Sequence, residues 1–437
     1  MTVAELYELY QAHPSVVTDS RKVGAGDIFF ALKGPNFNGN RYAEQALQAG
    51  AAYVVVDEDV LSGNPKCLLV ENVLDTLQQL ALYHRKTFDI PFIAITGSNG
   101  KTTTKELIHT VLSTKYKTYT TKGNLNNHIG IPLTLLSIKR DAQIAIIEMG
   151  ANHIGEIAAY CQYTFPTMGI ITNCGKAHLE GFGSEEGVRK GKGELFDFLR
   201  EHGGSCFAFA DYPYFADMTK GIKHIYWYST QPSNATKGLS VIGNIAQSDP
   251  FLEVLLKASE QGAEDQYIKT NLVGDYNLPN VLCAALLGRY FKVTDEAISK
   301  AIASYNPSNS RSQMIEKGGN KLILDAYNAN PSSMQVAIEN FSRMQGTHKI
   351  LLLGGMKELG TQSEVEHQKL IKLIQSIGGW QDVLLIGPEF KAVGAGYTVL
   401  TDRESATAYL KKAQLKDSLI LIKGSRSNGL EQLLDAI

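Results

Sequence analysis

The chain has 437 residues and a formal charge of −2, with 44% apolar and 20% charged residues. That length exceeds one ordinary core and sets an expectation of about two to four domains. The near-neutral balance gives no electrostatic reason for broad adhesion to nucleic acid or to an anionic membrane. Cys67, Cys161, Cys174, Cys206 and Cys283 are widely spaced and form no CxxC pair, which points away from a disulfide framework or a thiolate zinc site. The opening MTVAELYELYQAHP has no basic flank and no signal-like apolar run, and no segment offers the roughly 20 apolar residues that span a bilayer. A cytoplasmic location without stable membrane insertion is the expectation.

Taken in chain order, GDIFFAL, AAYVVVD and CLLVEN read as strands, followed by the helical LDTLQQLALYHRKTF. They suggest a small α/β domain over residues 1–88. PFIAITG, AIIEMG, MGIITN and CFAFAD are short apolar runs, and the first precedes helical spacing at Leu107, Ile108, Val111 and Leu112. This alternation predicts a largely parallel α/β domain over 89–305, with ligands beyond the carboxyl ends of its strands. After the turn-rich SYNPSNSRS, the strand-like KLILDA, KILLLGG, QDVLLIGP and SLILIKGS, separated by helical stretches, predict a second nucleotide-type α/β domain over 306–437.

TGSNGKTTTKEL joins the PFIAIT run to its helix. Gly97 and Gly100 permit a tight loop whose amides, with those of Ser98, Asn99 and Thr103, meet an anion at a helix N-terminus. Lys101 can approach phosphates, and Thr102 supplies a hard oxygen for Mg²⁺. Ile95 stands where the general GxxxxGKS/T pattern has its first glycine. Glu148 and His178 end neighbouring apolar runs, so a shared sheet would turn both toward one crevice as divalent-metal candidates. In VRKGKGELF, helical spacing places Lys192 on one stripe with Val188, Leu195, Phe196 and Leu199, whereas Glu186, Lys190 and Glu194 form an alternating charge series fit for a solvated face. A buried ammonium is costly, so Lys192 must snorkel, pair with an anion, or have altered chemistry.

The ordered set DSRKVGAGDIFFALKG, TGSNGKTT, GNLNNHIGIP, EMGANHIGEI, NCGKAHLEGFG, GKGELF, GDYNLPN, DAYNANPSSM, GGMKELG and IKGSRSNGLE resembles the Mur ligase family over nearly the whole chain. The resemblance implies three α/β domains, with a central P-loop ATPase-like domain and a C-terminal Rossmann-like one. It is nearest the branch joining D-alanyl-D-alanine to UDP-N-acetylmuramoyl-tripeptide with ATP and Mg²⁺. On that basis Ser20, Arg21, Lys33 and Gly34 face the UDP end, and Asn126, Tyr327 and Asn328 support substrate. Asn277, Asn280, Arg311 and Asp325 serve ATP; Lys101, His178 and Lys192 are catalytic; and Thr102, Glu148, His178 and Lys192 hold metal. Lys192 aligns with a lysine that carbon dioxide converts to a carbamate, and activity as a monomer is compatible with the resemblance. Leu324 and Gly355 stand where related motifs commonly carry aspartate, which puts nucleotide and amine positioning in question. A ligase adding the third residue, a folate polyglutamate ligase, and a nucleotide-gated protein without ligation remain alternatives.

Overall fold

The computed structural model describes residues 1–234, 239–258, 264–308, 310–394 and 396–437; residue 309, inside the turn-rich segment 304–312, lies outside them. Three main sheets follow one another along the chain. In the first, Val16–Val17, Ile28–Phe30, Tyr53–Val56 and Cys67–Leu69 lie side by side and parallel. Lys33–Gly34 and Phe37–Asn38 add a small antiparallel pair. The helix Val73–Arg85 then packs Leu77 and Leu80 into one core shared by Leu6 and Tyr10 on one side and Ile131, Leu135 and Ile157 on the other. Each fully buried side chain of this kind contributes about 1.5–3 kcal/mol of transfer free energy. Arg85 completes the join, its guanidinium 3.6 Å above Phe92 and donating to Thr164 O and Phe165 O.

The central sheet is larger than the four apolar runs suggest. Among the described residues it has nine strands, in the order Gln266–Lys269, Glu253–Leu256, Ser240–Gln247, His224–Ser229, Ser205–Phe209, Met168–Ile171, Phe92–Thr96, Ile144–Glu148 and Thr118–Thr120. The first three are joined antiparallel and the rest run parallel. The antiparallel extension has a weak sequence signal because only alternate residues are buried along it. Phe92–Thr96 is the switch point: the next two strands in sequence lie to one side, and Met168–Ile171 begins the other side. A crevice therefore opens beyond its carboxyl end.

The third sheet runs Gln313–Lys317, Asn320–Asp325, Leu419–Lys423, Lys349–Gly354, Asp382–Ile386 and Thr398–Leu400, parallel except for the first pair. Its two faces carry separate apolar clusters, one around Ile338, Phe341 and Leu353 and one around Leu352, Leu410 and Ile420. No helix among the described residues is long and apolar enough to cross a membrane.

The helix Glu185–His202 begins at Ser184, whose Oγ accepts from Gly187 N, and ends at Gly203 in the left-handed region. Its apolar stripe is buried as the spacing predicts, Lys192 included. One member of the charge series departs from expectation. Glu194 does not belong to a solvated face, because its carboxylate accepts from Gly155 N at 2.5 Å and Ala158 N at 2.9 Å, capping the helix Glu156–Thr164. Those amides have no partner within their own helix and favour a negative charge.

Candidate active site

Where Phe92–Thr96 ends, the chain turns through Gly97 (φ 139°) and Gly100 (φ 78°) into the helix Lys101–Leu112. A Cβ at Gly97 would stand 2.0 Å from Thr172 Oγ1, and one at Gly100 would stand 2.7 Å from Asn280 Oδ1, so both need glycine for space as well as conformation. The neighbouring strand end fixes the loop: Ser98 N donates to Asn173 O, Asn99 N to Asn173 Oδ1, and Thr172 Oγ1 to Asn99 O. Ser98 Oγ donates in turn to Gly175 O. Lys101 Nζ donates to Gly97 O at 2.6 Å and Ser98 O at 3.3 Å. Burial, with Arg311 nearby, pushes this ammonium down to about 8 against the pull of Glu148. Thr103 occupies the same first turn.

Glu148 ends its strand in register with Ile95. Its Oε1 accepts from Thr102 Oγ1 at 3.1 Å and Asn126 Nδ2 at 2.8 Å. Its buried Oε2 accepts no hydrogen bond and lies 3.6 Å from Lys105 Nζ. Lys105 also donates to Thr121 O, and Thr121 Oγ1 accepts from Glu148 N. Lys105 is thus a further buried member of this site, and its spacing to Ile108 and Leu112 carries the same signal as Lys192: a cation on an apolar helical stripe.

Lys192 is fully buried, and its Nζ donates to Ala151 O at 2.9 Å and lies 4.9 Å from the Phe182 ring centroid. Gly191 makes room for that ring, since a Cβ there would stand 2.5 Å from Phe182 Cε1. Burial, reinforced by the charge on Lys101, lowers Lys192 to about 7. His178, at the start of the short helix Leu179–Phe182, has Nδ1 2.5 Å from Glu358 Oε2. That contact holds the Glu358 carboxyl below its ordinary range.

Among the described residues no three His, Cys, Asp or Glu side chains converge as a metal cluster. Thr102 Oγ1 and Glu148, with its free buried oxygen, nevertheless suit Mg²⁺, a hard cation that keeps waters and phosphate oxygens in its shell. Lys192 as an ammonium has three donors and no lone pair, and fits such a site only in a carboxylated form.

The C-terminal domain reaches this crevice from across the seam. Asn330 Nδ2 donates to Asn99 Oδ1 at 2.8 Å, and Lys176 N donates to Ser332 Oγ at 2.9 Å. A cleft of about 420 Å³ lies here, lined in part by Gly175, Lys176, Ser332, Met356 and Glu366. Arg311 lies 3.6 Å over Tyr327, whose ring also meets Arg426 at 4.9 Å, and Arg311 Nε is buried without a hydrogen-bond partner. Asp325 Oδ2 is 2.5 Å from Lys423 Nζ, which also donates to Asn328 O. Asn277 uses its amide internally, donating to Val273 O and accepting from Asn280 Nδ2, while Asn280 Oδ1 accepts from Thr104 Oγ1. Both asparagines brace the loop from behind. Ser20, Arg21, Lys33 and Gly34 are not brought to the phosphate loop; they lie on the N-terminal domain, where Arg21 pairs with Asp19 and Lys33 with Asp57 and Glu58.

Three family models match this chain: the Mur ligase family catalytic domain over residues 14–83, the Mur ligase middle domain over 95–288, and the Mur ligase glutamate ligase domain over 310–426. The UDP-N-acetylmuramoyl-tripeptide--D-alanyl-D-alanine ligase of Bacillus subtilis is 33% identical, covering 98% of this chain and 93% of that protein. The chain belongs to the Mur ligase family. The Escherichia coli protein of the same name is 34% identical over 97% of this Mur ligase and 93% of its own length. Among solved structures, MurF from Acinetobacter baumannii superposes with a TM-score of 0.86 at 28% identity, covering 98% and 97% of the two chains. MurF ligase from Thermotoga maritima in complex with ADP gives 0.84 at 27% identity, covering 97% and 96%. The three-domain α/β architecture of this Mur ligase is thus that of MurF structures.

Proposed function

We propose that this Mur ligase uses ATP to join D-alanyl-D-alanine to UDP-N-acetylmuramoyl-tripeptide, forming the pentapeptide precursor of peptidoglycan. The observation that carries the reading is the phosphate loop that leads into Lys101 and the Thr102–Glu148 pair and is met at Asn99 by Asn330 of the C-terminal domain, in a chain that matches relatives of that activity over nearly its whole length. Residues 1–88 hold the UDP end through Ser20, Arg21, Lys33 and Gly34, residues 89–305 hold the triphosphate, and residues 306–437 bring the amine. The enzyme works as a monomer in the cytoplasm, where ATP and nucleotide-linked precursors are found.

The terminal carboxylate of the tripeptide attacks the γ-phosphorus, the bond to the bridging oxygen breaks, and ADP leaves an acyl phosphate. Loop amides and Lys101 neutralise charge that grows on the phosphoryl oxygens, and Arg311 adds a second cation from the C-terminal domain. The dipeptide amine then attacks the acyl carbon, loses a proton, and the tetrahedral intermediate expels phosphate. Thr102, Glu148 and His178 would hold Mg²⁺, which supplies further neutralisation of phosphate charge when bound. Lys192 would join them as a carbamate: its neutral amine bonds to the carbon of CO₂ and releases a proton, turning a buried cation into an oxygen ligand. The depressed basicity of Lys192 favours this, because only the neutral amine carries a lone pair. Asn126 supports Glu148, and Asn277, Asn280, Asp325, Tyr327 and Asn328 shape the nucleotide and amine sides.

The test crosses UDP-muramoyl dipeptide or tripeptide with D-alanyl-D-alanine, a diamino acid or glutamate, measuring phosphate release and product mass. Product from tripeptide and D-alanyl-D-alanine alone is expected. Exclusive addition of a diamino acid to the dipeptide would overturn the assignment.

A further inference from the structure

Arg311 is aimed by its two neighbours. Ser310 at φ 55° and Ser312 at φ 48° lie in the left-handed region without being glycine, so the chain on either side of Arg311 is held there by its surroundings. Ser310 N donates to Gln313 Oε1 at 2.9 Å, and Ser310 O accepts at 3.2 Å from the amide of Tyr327, whose ring lies under the Arg311 guanidinium. Ser312 N donates to Asp325 Oδ1 at 3.2 Å, and Ser312 Oγ shares a hydrogen bond of 2.9 Å with Tyr276 Oη. Of these four anchors, Gln313, Asp325 and Tyr327 fall within the C-terminal family match, and Tyr276 alone falls within the middle-domain match. Tyr276 is itself seated by glycine. A Cβ at Gly274 (φ 96°) would stand 2.3 Å from Tyr276 Cε1, so the ring occupies the space that a side chain there would take.

Arg311 has something to be aimed at. Its charge is felt at Lys101, and its Nε is buried without a hydrogen-bond partner. We propose that Tyr276 is a positioning residue whose hydroxyl, through Ser312, fixes the place of Arg311 opposite the phosphate loop. The cation brought by the C-terminal domain is thereby set against Lys101 by a hydrogen bond to the domain that carries Lys101. That ATP is the ligand which profits rests on the function proposed above; the linkage of Tyr276 to Arg311 does not.

The experiment measures the Kd of ATP with Mg²⁺ by titration calorimetry for wild type, Tyr276→Phe, Ser312→Gly and Arg311→Met, and for Tyr276→Phe combined with each of the other two. Phenylalanine removes the hydroxyl alone, and glycine at position 312 removes its partner where the backbone is left-handed. In the wild-type background Tyr276→Phe weakens ATP binding by about three- to tenfold, the scale of one hydrogen bond. In the Ser312→Gly and Arg311→Met backgrounds the same change costs less than about twofold, because the linkage is already cut. A residue that only stabilised the fold would cost the same in every background. The proposal is overturned if Tyr276→Phe binds ATP like wild type, or if its loss is as large without Arg311 as with it. Binding that responds as described, in a protein making no ligation product, would count against the proposed function and leave the linkage of Tyr276, Ser312 and Arg311 standing.

Discussion

Lys192 in the central domain and Lys423 in the C-terminal domain are equally hidden, at 0% and 2% exposure, yet they are opposite kinds of residue. Lys423 reaches a carboxylate, Asp325, at 2.5 Å. Lys192 has a carbonyl and an aromatic face, and the foremost charge acting on it is another lysine. Burial of a cation is therefore a poor mark of chemistry by itself. Burial without a counterion is the informative state, because it yields an amine that is neutral for part of the time near pH 7 and so able to react.

The largest expected effect separates the two directly. Lys192→Ala lowers ligation by about 10³-fold, the scale of removing a main electrostatic group, whereas Lys423→Ala costs about tenfold through displaced Asp325. Phosphate release measures both, and added formate, a small carboxylate, restores part of the first loss only. Equal losses would erase the contrast. Stability inverts the order. Lys423→Met strands Asp325 and lowers the melting temperature, by about 2–4 °C for each kcal/mol lost. Lys192→Met, assayed by calorimetry in CO₂-depleted buffer, raises it by about 2–4 °C, since an apolar chain replaces an unpaired charge. A drop for Lys192→Met would mean a counterion is present.

The advantage of Lys192→Met also depends on pH. Lys192 sits at about 7 when folded and at about 10.4 in an unfolded chain. Between these values the unfolded state binds more protons, so wild-type stability rises with pH across that window. The advantage is thus full below pH 7 and shrinks toward pH 10; a constant difference from pH 6 to 10 would break the argument. The smallest effect concerns a neutral contact at the seam. Asn330→Ser keeps the N-cap of the helix Pro331–Arg343 but is too short to reach Asn99. One hydrogen bond is at stake, so KM for ATP rises by about threefold with kcat little changed.

These contrasts also explain what could be read from sequence. The strand, loop and helix around Lys101 were legible because an apolar run, two glycines and a 3.6-residue period are local signals. Lys192 is legible for the same reason, and Lys105, on one stripe with Ile108 and Leu112, carries the same local signal. Glu194, whose partners Gly155 and Ala158 lie on another helix, could only be assigned to its own charged face. Likewise, no spacing within GGMKELG indicates that Glu358 reaches His178. The antiparallel strands from Ser240 to Lys269 escaped because their half-buried pattern has no continuous apolar run. Long-range pairing is where a linear pattern runs out.

The phosphate loop has one more consequence, which lies in what Lys101 already holds. Its ammonium spends its donors on Gly97 O and Ser98 O, the oxygens of the loop that must wrap a phosphate. The loop thus acts as its own competitor. A ligand gains Lys101 only by outbidding two uncharged carbonyls, which a doubly charged terminal phosphate does easily and a lone hydroxyl or a nucleoside does not. Discrimination in favour of the triphosphate thereby begins before any base or sugar is touched.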